Sequence, residues 1–113
     1  MNMIYCFLCF LALHIAVWFS TNLQLMSSSY AGKSLIIALL LAVPTTLFAY
    51  FGTKFGYAAL GESAWSVRFF AFAISYLTFP VLTWWFLGES MFTVKTMLCV
   101  ALSFMIIAIQ IYL

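Results

Sequence analysis

Apolar residues run along this chain in four long stretches, and short polar segments separate them. The stretches cover about residues 3–25, 34–53, 64–87 and 92–113. A helix that crosses a bilayer needs about twenty mostly apolar residues, because each residue rises about 1.5 Å through a hydrocarbon core of about 30 Å. Each stretch is long enough, so the pattern predicts four transmembrane helices.

Composition supports this interpretation of the pattern. Apolar residues make up 68% of the chain and charged residues 5%, and the mean hydropathy is +1.22. A soluble domain is about half apolar and about a quarter charged. Strand edges would leave backbone groups unpaired in lipid, and the apolar runs lack the alternation of a membrane β-barrel. We therefore expect an all-α membrane protein, with a single domain over residues 1–113 in which four transmembrane helices form a compact bundle.

The basic residues give little information on topology. Lys54 and Arg68 border the side on which both termini are expected, whereas Lys33 and Lys95 border the other side. The positive-inside rule orients a membrane protein by an excess of Lys and Arg on one side, and here the two sides are equal. Two interpretations are open: the charges are too few to set an orientation, or the chain inserts both ways and antiparallel copies pair.

Several segments resemble those of a known transporter family. Segment 79–90, FPVLTWWFLGES, is similar to an apolar helix, a Gly-Glu turn and the start of the next helix in small multidrug resistance proteins. Residues 54–57 and 63–68 resemble a branch of the wider drug/metabolite transporter superfamily, in which a basic residue opens the third helix. The resemblance implies a four-helix transporter that acts as a homodimer, in a bacterial-type inner (plasma) membrane.

Two features differ from that family. Small multidrug resistance proteins carry a membrane-embedded glutamate in the first helix, which binds protons and cationic drugs alternately. This chain has His14 at the corresponding depth, and its acidic residues, Glu62 and Glu89, lie between the stretches. The family's fourth helix is rich in glycine, whereas residues 92–113 contain none. The resemblance therefore supports the architecture and not a glutamate-based antiport.

His14 is the one ionisable residue near the middle of a predicted span. Ionisable groups in a membrane are costly, so they usually face the bundle interior and often mark a pathway or a proton relay. Trp18 and Asn22 follow at four-residue spacing on the same helix face. We predict that these three residues line a substrate-binding or proton-coupling site, to which Tyr50 and Tyr76 add hydroxyl groups. The alternative is a neutral His14 that only joins two helices by a hydrogen bond.

The third stretch has two different faces. Arg68 lies one turn inside it, and its stem is long enough to bring the guanidinium to the interface. Ala71, Ser75 and Thr78 follow on the same face, and such small and polar side chains suit helix contact. The opposite face is aromatic. Its rings either line a substrate site through cation–π contacts or face lipid and packed neighbours.

Pro44 and Pro80 fall inside the second and third predicted helices. Proline removes one backbone hydrogen bond and clashes with the carbonyl group four residues earlier, so we predict a kink in each helix. Nearby threonine hydroxyls can bind the freed backbone groups. Two interpretations are open: the kinks are hinges for alternating access, or they are static bends.

The remaining residues exclude several classes of function. Cys6, Cys9 and Cys99 lie in apolar helix without a positive neighbour, and buried thiols of this kind are unreactive packing residues. One histidine and two glutamates between the spans cannot build a usual metal site, and no phosphate-binding loop is present. The net charge of +2 forms no basic patch for nucleic acid. We expect no cofactor, no metal, no nucleic acid and no enzymatic activity.

Two functions fit these residues. The first is a small transporter of the drug/metabolite type, in which two copies enclose the substrate path because four helices alone make a thin bundle. The second is a non-catalytic accessory or structural subunit that packs against a larger membrane complex. The expected partners are membrane lipids together with a second copy or the chains of such a complex.

Overall fold

The structure is a computed structural model that describes residues 1–26 and 28–112, with the backbone alone at 28–31. Ser27 and Leu113, which belong to the first polar segment and the fourth stretch, lie outside the described residues. The long helices are α1 (Asn2–Asn22), α2 (Ser28–Ala59), α3 (Ala64–Leu82) and α4 (Val94–Tyr112). A 3₁₀ turn, Leu23–Leu25, follows α1, and a π-helical turn, Thr83–Leu87, continues α3.

The described residues contain four long helices and no β-strand. Each helix, with the turn that continues it, is long and apolar enough to cross a membrane. A helix satisfies its own backbone groups, which is why a continuous apolar sequence takes this form in lipid. The prediction of an all-α membrane protein with four transmembrane helices is confirmed.

Helix α2 is longer than the predicted span at 34–53. It has 32 residues and covers part of both neighbouring polar segments. Gly32 lies near its start, but a single glycine costs a helix only about 1 kcal/mol relative to alanine. The link that follows α2 turns at Gly61 and Glu62, whose left-handed backbone angles are φ 71° and 59°. The polar segments on either side of the predicted span therefore indicated where the chain turns, but part of each segment belongs to α2.

Local hydrogen bonds set both ends of α3. The Ser63 hydroxyl oxygen accepts a hydrogen bond from the Ser66 backbone N–H at 3.1 Å, which is the usual N-cap. The helix continues through Pro80 and then widens into the π-helical turn. Gly88, with φ 71°, ends this turn and donates its N–H to the Trp84 carbonyl oxygen at 3.1 Å. A left-handed glycine is a common helix terminator because it has no Cβ atom.

The centre of the protein lies between α1 and α3. Helix α1 packs against α2 and α3, and α4 packs mainly against α3. The Cα positions extend 46 × 37 × 18 Å, so the bundle is thin in one direction. The core cluster consists of the buried residues Cys6, Phe10, Val67 and Ile74.

Helices α1 and α2 approach closely at two glycines of α2. A Cβ atom at Gly52 would lie 2.9 Å from Cε1 of Phe10, and one at Gly56 would lie 2.8 Å from Sγ of Cys6. Real Cβ atoms essentially never come so near another atom. The four-residue spacing puts both glycines on one face, as in other close contacts between membrane helices. The contact of α1 with α2 therefore depends on these two positions.

Candidate functional site

His14 lies near the middle of α1 and faces α3. Its Nε2 atom donates a hydrogen bond to the backbone carbonyl oxygen of Ala71, at 2.9 Å. Because a carbonyl oxygen only accepts, this bond requires the ring proton on Nε2. The side chain is half-buried. The bond joins the middle of α1 to the middle of α3.

Two cavities flank this hydrogen bond, and His14 lines both. The first, which we call the Arg68 cavity, has about 310 Å³ and lies between α1, α2 and α3, with His14, Thr53 and Arg68 as its polar lining residues. The second, the Asn22 cavity, has about 210 Å³ and lies between α1 and α3. The Arg68 cavity extends towards the amino-terminal ends of α1 and α3 and the Asn22 cavity towards their carboxyl ends. His14 therefore lies between two spaces at different depths and lines both.

Trp18 forms part of the wall of the Asn22 cavity. The residue is 2% exposed, and its Nε1–H donates a buried hydrogen bond to Oγ1 of Thr83 at 3.0 Å. The Asn22 amide donates to the Trp18 carbonyl oxygen at 3.1 Å and to the Thr21 hydroxyl at 2.9 Å. Apart from His14, the described lining of this cavity contains polar and apolar side chains without charge.

Arg68 supplies the positive charge of the Arg68 cavity. Its Cζ atom lies 4.8 Å from the centroid of the Phe72 ring, which is a cation–π contact. Glu62 and Glu89 lie in the links before α3 and α4 and do not line this cavity. Within the described part of the chain, Arg68 forms no ion pair with either carboxylate. The local charge at this end of the site is therefore positive.

The structure brings together three of the predicted site residues, since His14, Trp18 and Asn22 all line the Asn22 cavity. Tyr50 lies elsewhere on α2, is 65% exposed and contacts the ring of its neighbour Phe51. It is absent from the described lining of both cavities at His14. Its helix position matched the depth of the site, but the rotation of α2 turns it away.

Tyr76 faces α4 instead of α1. Its hydroxyl donates a hydrogen bond to Oγ of Ser103 at 2.9 Å, and Ser103 donates to the Cys99 carbonyl oxygen at 2.9 Å. The Tyr76 ring also packs against Phe104, with 5.4 Å between the ring centroids. Tyr76 therefore joins α3 to α4 and lies apart from His14.

The two prolines differ in their relation to the site. Both helices continue through them. Beside Pro44, Oγ1 of Thr45 is buried and has no hydrogen-bond partner among the described residues. Pro80 precedes the π-helical turn, in which the first residue, Thr83, accepts the hydrogen bond of Trp18. Pro80 thus lies next to a wall of the Asn22 cavity, whereas Pro44 does not.

Five further polar residues line the two cavities without having been predicted as site residues: Thr21, Thr53, Arg68, Ser75 and Thr78. The sequence contains a signal for three of them, because Arg68, Ser75 and Thr78 recur at helical spacing on one face of α3. That spacing predicted a contact face. Only the packed structure showed that the same face meets His14.

No protein-family model, curated protein or solved structure matches this chain. The resemblance to small multidrug resistance proteins therefore stays a prediction, and the site is interpreted from its own geometry. One imidazole, bonded across two helices, lies between a cavity with a guanidinium and a cavity with amide and hydroxyl groups. The site therefore combines one imidazole with one charged side chain and several uncharged polar ones.

Proposed function

We propose that the protein is a small membrane transporter of the drug/metabolite type, which moves a solute along the α1–α3 interface of a homodimer. The observation that carries the proposal is the position of His14 between two cavities that extend towards opposite ends of these helices. Secondary transporters bind their substrate near the bilayer midplane and open the site alternately to each side. A barrier with a cavity on either side has the geometry that such a cycle needs.

The barrier contains a hydrogen bond that can break and re-form. A shift of α1 against α3 would separate Nε2 of His14 from the Ala71 carbonyl oxygen, which are 2.9 Å apart, and would join the two cavities. The neutral imidazole has one N–H donor, whereas the protonated ring has two. Proton uptake therefore changes what His14 can bind, and this change would couple proton movement to solute movement.

A second copy would complete the path. Arg68 and Phe72 line the Arg68 cavity and are both exposed, so this cavity opens at the surface of one copy. In a bilayer an open polar cavity faces lipid unless another chain covers it, and unpaired polar groups in lipid are costly. We propose that two copies enclose a hydrated path, in a bacterial-type inner membrane as the family resemblance implies.

A proton-flux assay tests the role of His14. The purified protein is reconstituted into liposomes that contain a pH-sensitive dye, and small organic solutes are added one at a time. We expect the wild type to move protons in response to its substrate, and His14→Ala to lose this response. His14→Gln keeps a donor for the Ala71 carbonyl oxygen but cannot titrate, so it should retain solute binding and lose proton coupling.

Thr46→Ala is the matched control for this assay, because Thr46 is exposed on α2 and does not line either cavity at His14. This variant should respond as the wild type does. A substrate-dependent proton response that persists in His14→Ala would contradict the proposed role of His14.

A second function, that of an accessory subunit in a larger membrane complex, is favoured by α4. Most side chains of α4 are exposed, among them Leu98, Leu102 and Ile109. A non-catalytic subunit would use such a surface against unlike chains. Purification in a mild detergent and measurement of subunit stoichiometry separate the two functions. Two like chains support the transporter, whereas a stoichiometric unlike chain supports the accessory subunit.

A further inference from the structure

We propose that the Arg68 cavity binds the anionic group, a carboxylate or a phosphate, of a small amphiphilic molecule. The inference rests on the proposed function in one respect: in a transporter, the anion bound in this cavity is the transported substrate. It assigns a substrate class opposite in charge to the cationic drugs that the family resemblance implies.

The charge of the cavity comes from Arg68. A guanidinium stays protonated at any physiological pH, so this positive charge is permanent. Among the residues that the structure describes, Arg68 makes no ion pair, and its contact is with the ring of Phe72. The described lining of the cavity contains no acidic side chain. An anion would therefore meet a positive charge that no carboxylate of the same copy neutralises, and a cation would be repelled.

The geometry of Arg68 leaves its donors available. The Phe72 ring centroid lies 4.8 Å from Cζ, and this cation–π contact occupies none of the N–H donors with a hydrogen-bond acceptor. The N–H donors point outward in the plane of the guanidinium, where they can bind both oxygens of a carboxylate or two oxygens of a phosphate. The Thr53 hydroxyl also lines the cavity and can donate to the same anion.

The walls of the cavity suit an apolar body attached to the anionic group. Phe10, Leu13, Val67 and Phe72 line a volume of about 310 Å³. Ligand sites of this kind combine apolar walls with a few polar groups that fix the orientation. His14 lines the inner end of the cavity, so a molecule held by Arg68 would lie against the barrier described above.

Equilibrium dialysis with charge-matched probes tests the inference. The full-length protein is placed in nanodiscs of phosphatidylcholine, and binding of benzoate, phenyl phosphate and benzyltrimethylammonium is measured. We expect saturable binding of benzoate or phenyl phosphate and none of benzyltrimethylammonium. In Arg68→Gln the anion affinity should fall about tenfold or more, because the charge-assisted hydrogen bonds are lost.

Two variants control for effects on folding and on overall charge. Arg68→Lys keeps the charge without the planar pair of donors, so it should bind the anion more tightly than Arg68→Gln and less tightly than the wild type. Lys54→Gln removes the same charge from the same side of the protein, but Lys54 does not line the cavity, so anion binding should not change. Preferred binding of benzyltrimethylammonium, absence of binding of both anions, or unchanged affinity in Arg68→Gln would overturn the inference.

The anion could be a lipid headgroup or a free solute, and a further arm of the experiment distinguishes the sources. If phosphatidylglycerol in the nanodisc displaces benzoate, the anion site is upheld with a lipid phosphate as its occupant. If benzoate binding is unaffected, the site is upheld for a soluble anion. Anion binding without transport in proteoliposomes would uphold the anion site and contradict the transporter function. Proton-coupled transport of a cation would uphold the transporter function and contradict the anion site.

Discussion

The α1–α3 interface and the α3–α4 interface are built differently, although all three helices are apolar along their whole length. The first contains the core cluster and the buried hydrogen bond from Trp18 to Thr83. The second depends on the ring and hydroxyl of Tyr76 and on Ile107, a buried residue of α4. The candidate site lies at the first interface, which contains most of the buried side chains.

This difference shows what holds helices together in lipid. Lipid tails are as apolar as leucine, so a helix gains little by exchanging lipid for protein and associates through close packing and hydrogen bonds. Helix α2 provides Gly52 and Gly56 against α1, and α1 provides the buried indole that bonds to the end of α3. Helix α4 has no glycine in its described residues, and its exposed apolar side chains suit lipid as well as a partner.

The largest expected effect comes from removing the ring that closes the α1–α3 interface. Trp18→Ala should lower the free energy of unfolding by about 3 kcal/mol, which is the lower end of the range for soluble proteins. The substitution leaves a cavity, as it does in a soluble protein, but in a membrane the transfer of the side chain out of water does not contribute. Trp85→Ala is the control, since Trp85 is 73% exposed and Trp18 only 2%. Unfolding of both variants in mixed micelles of mild detergent and dodecyl sulfate measures the difference. Equal losses would show that the burial of Trp18 at the α1–α3 interface does not stabilise the protein.

A smaller effect is expected at the close contact of α1 with α2. Gly56→Leu places a side chain where a Cβ atom alone would lie 2.8 Å from Sγ of Cys6. Overpacking of this kind costs about 2 kcal/mol. In Gly32→Leu, on the same helix, the added Cβ meets no atom within 4 Å, so the stability should stay equal or rise with the better helix former. The same micelle titration gives both values, and a stable Gly56→Leu protein would mean that α1 and α2 do not touch there.

The smallest effect is expected at the α3–α4 interface. Tyr76→Phe removes the hydroxyl that donates to Ser103 at 2.9 Å and keeps the ring. Hydrogen bonds between membrane helices contribute about 0.6 kcal/mol on average, so the loss should be of that size. Tyr50→Phe, at a residue that is 65% exposed, should change the stability by less. A loss at Tyr76 as large as that of Trp18→Ala would show that α4 is held as firmly as α1.

The difference between the α1–α3 and α3–α4 interfaces also matters for the two candidate functions. A barrier at His14 needs α1 and α3 to stay adjacent while they shift, and the packed interface provides this adjacency. The exposed surface of α4 does not belong to the described lining of either cavity, so it is free to meet an unlike chain. The transporter and the accessory subunit thus use different parts of the molecule, and subunit stoichiometry tests them separately.

The site could be predicted from the sequence in part. A lone imidazole in an apolar helix is conspicuous, and Trp18 and Asn22 followed from helical spacing. Tyr50 and Tyr76 were included only because they could add hydroxyl groups, and the residue type does not say which way a side chain points. Gly52 and Gly56 are four positions apart, which is a signal for close helix contact, but the predicted span ended at residue 53 and left Gly56 in the link that follows.

The sequence by itself determined the number of helices and their solvent, because backbone groups in lipid must be satisfied within each helix. It also determined that few polar residues are available for chemistry. The tertiary structure decided which faces meet, because the polar stripes of α1 and α3 indicate an inward face on each helix but not the helix that this face contacts. That packing alone put His14 opposite Ala71 and placed Arg68 in a cavity on one side of the imidazole.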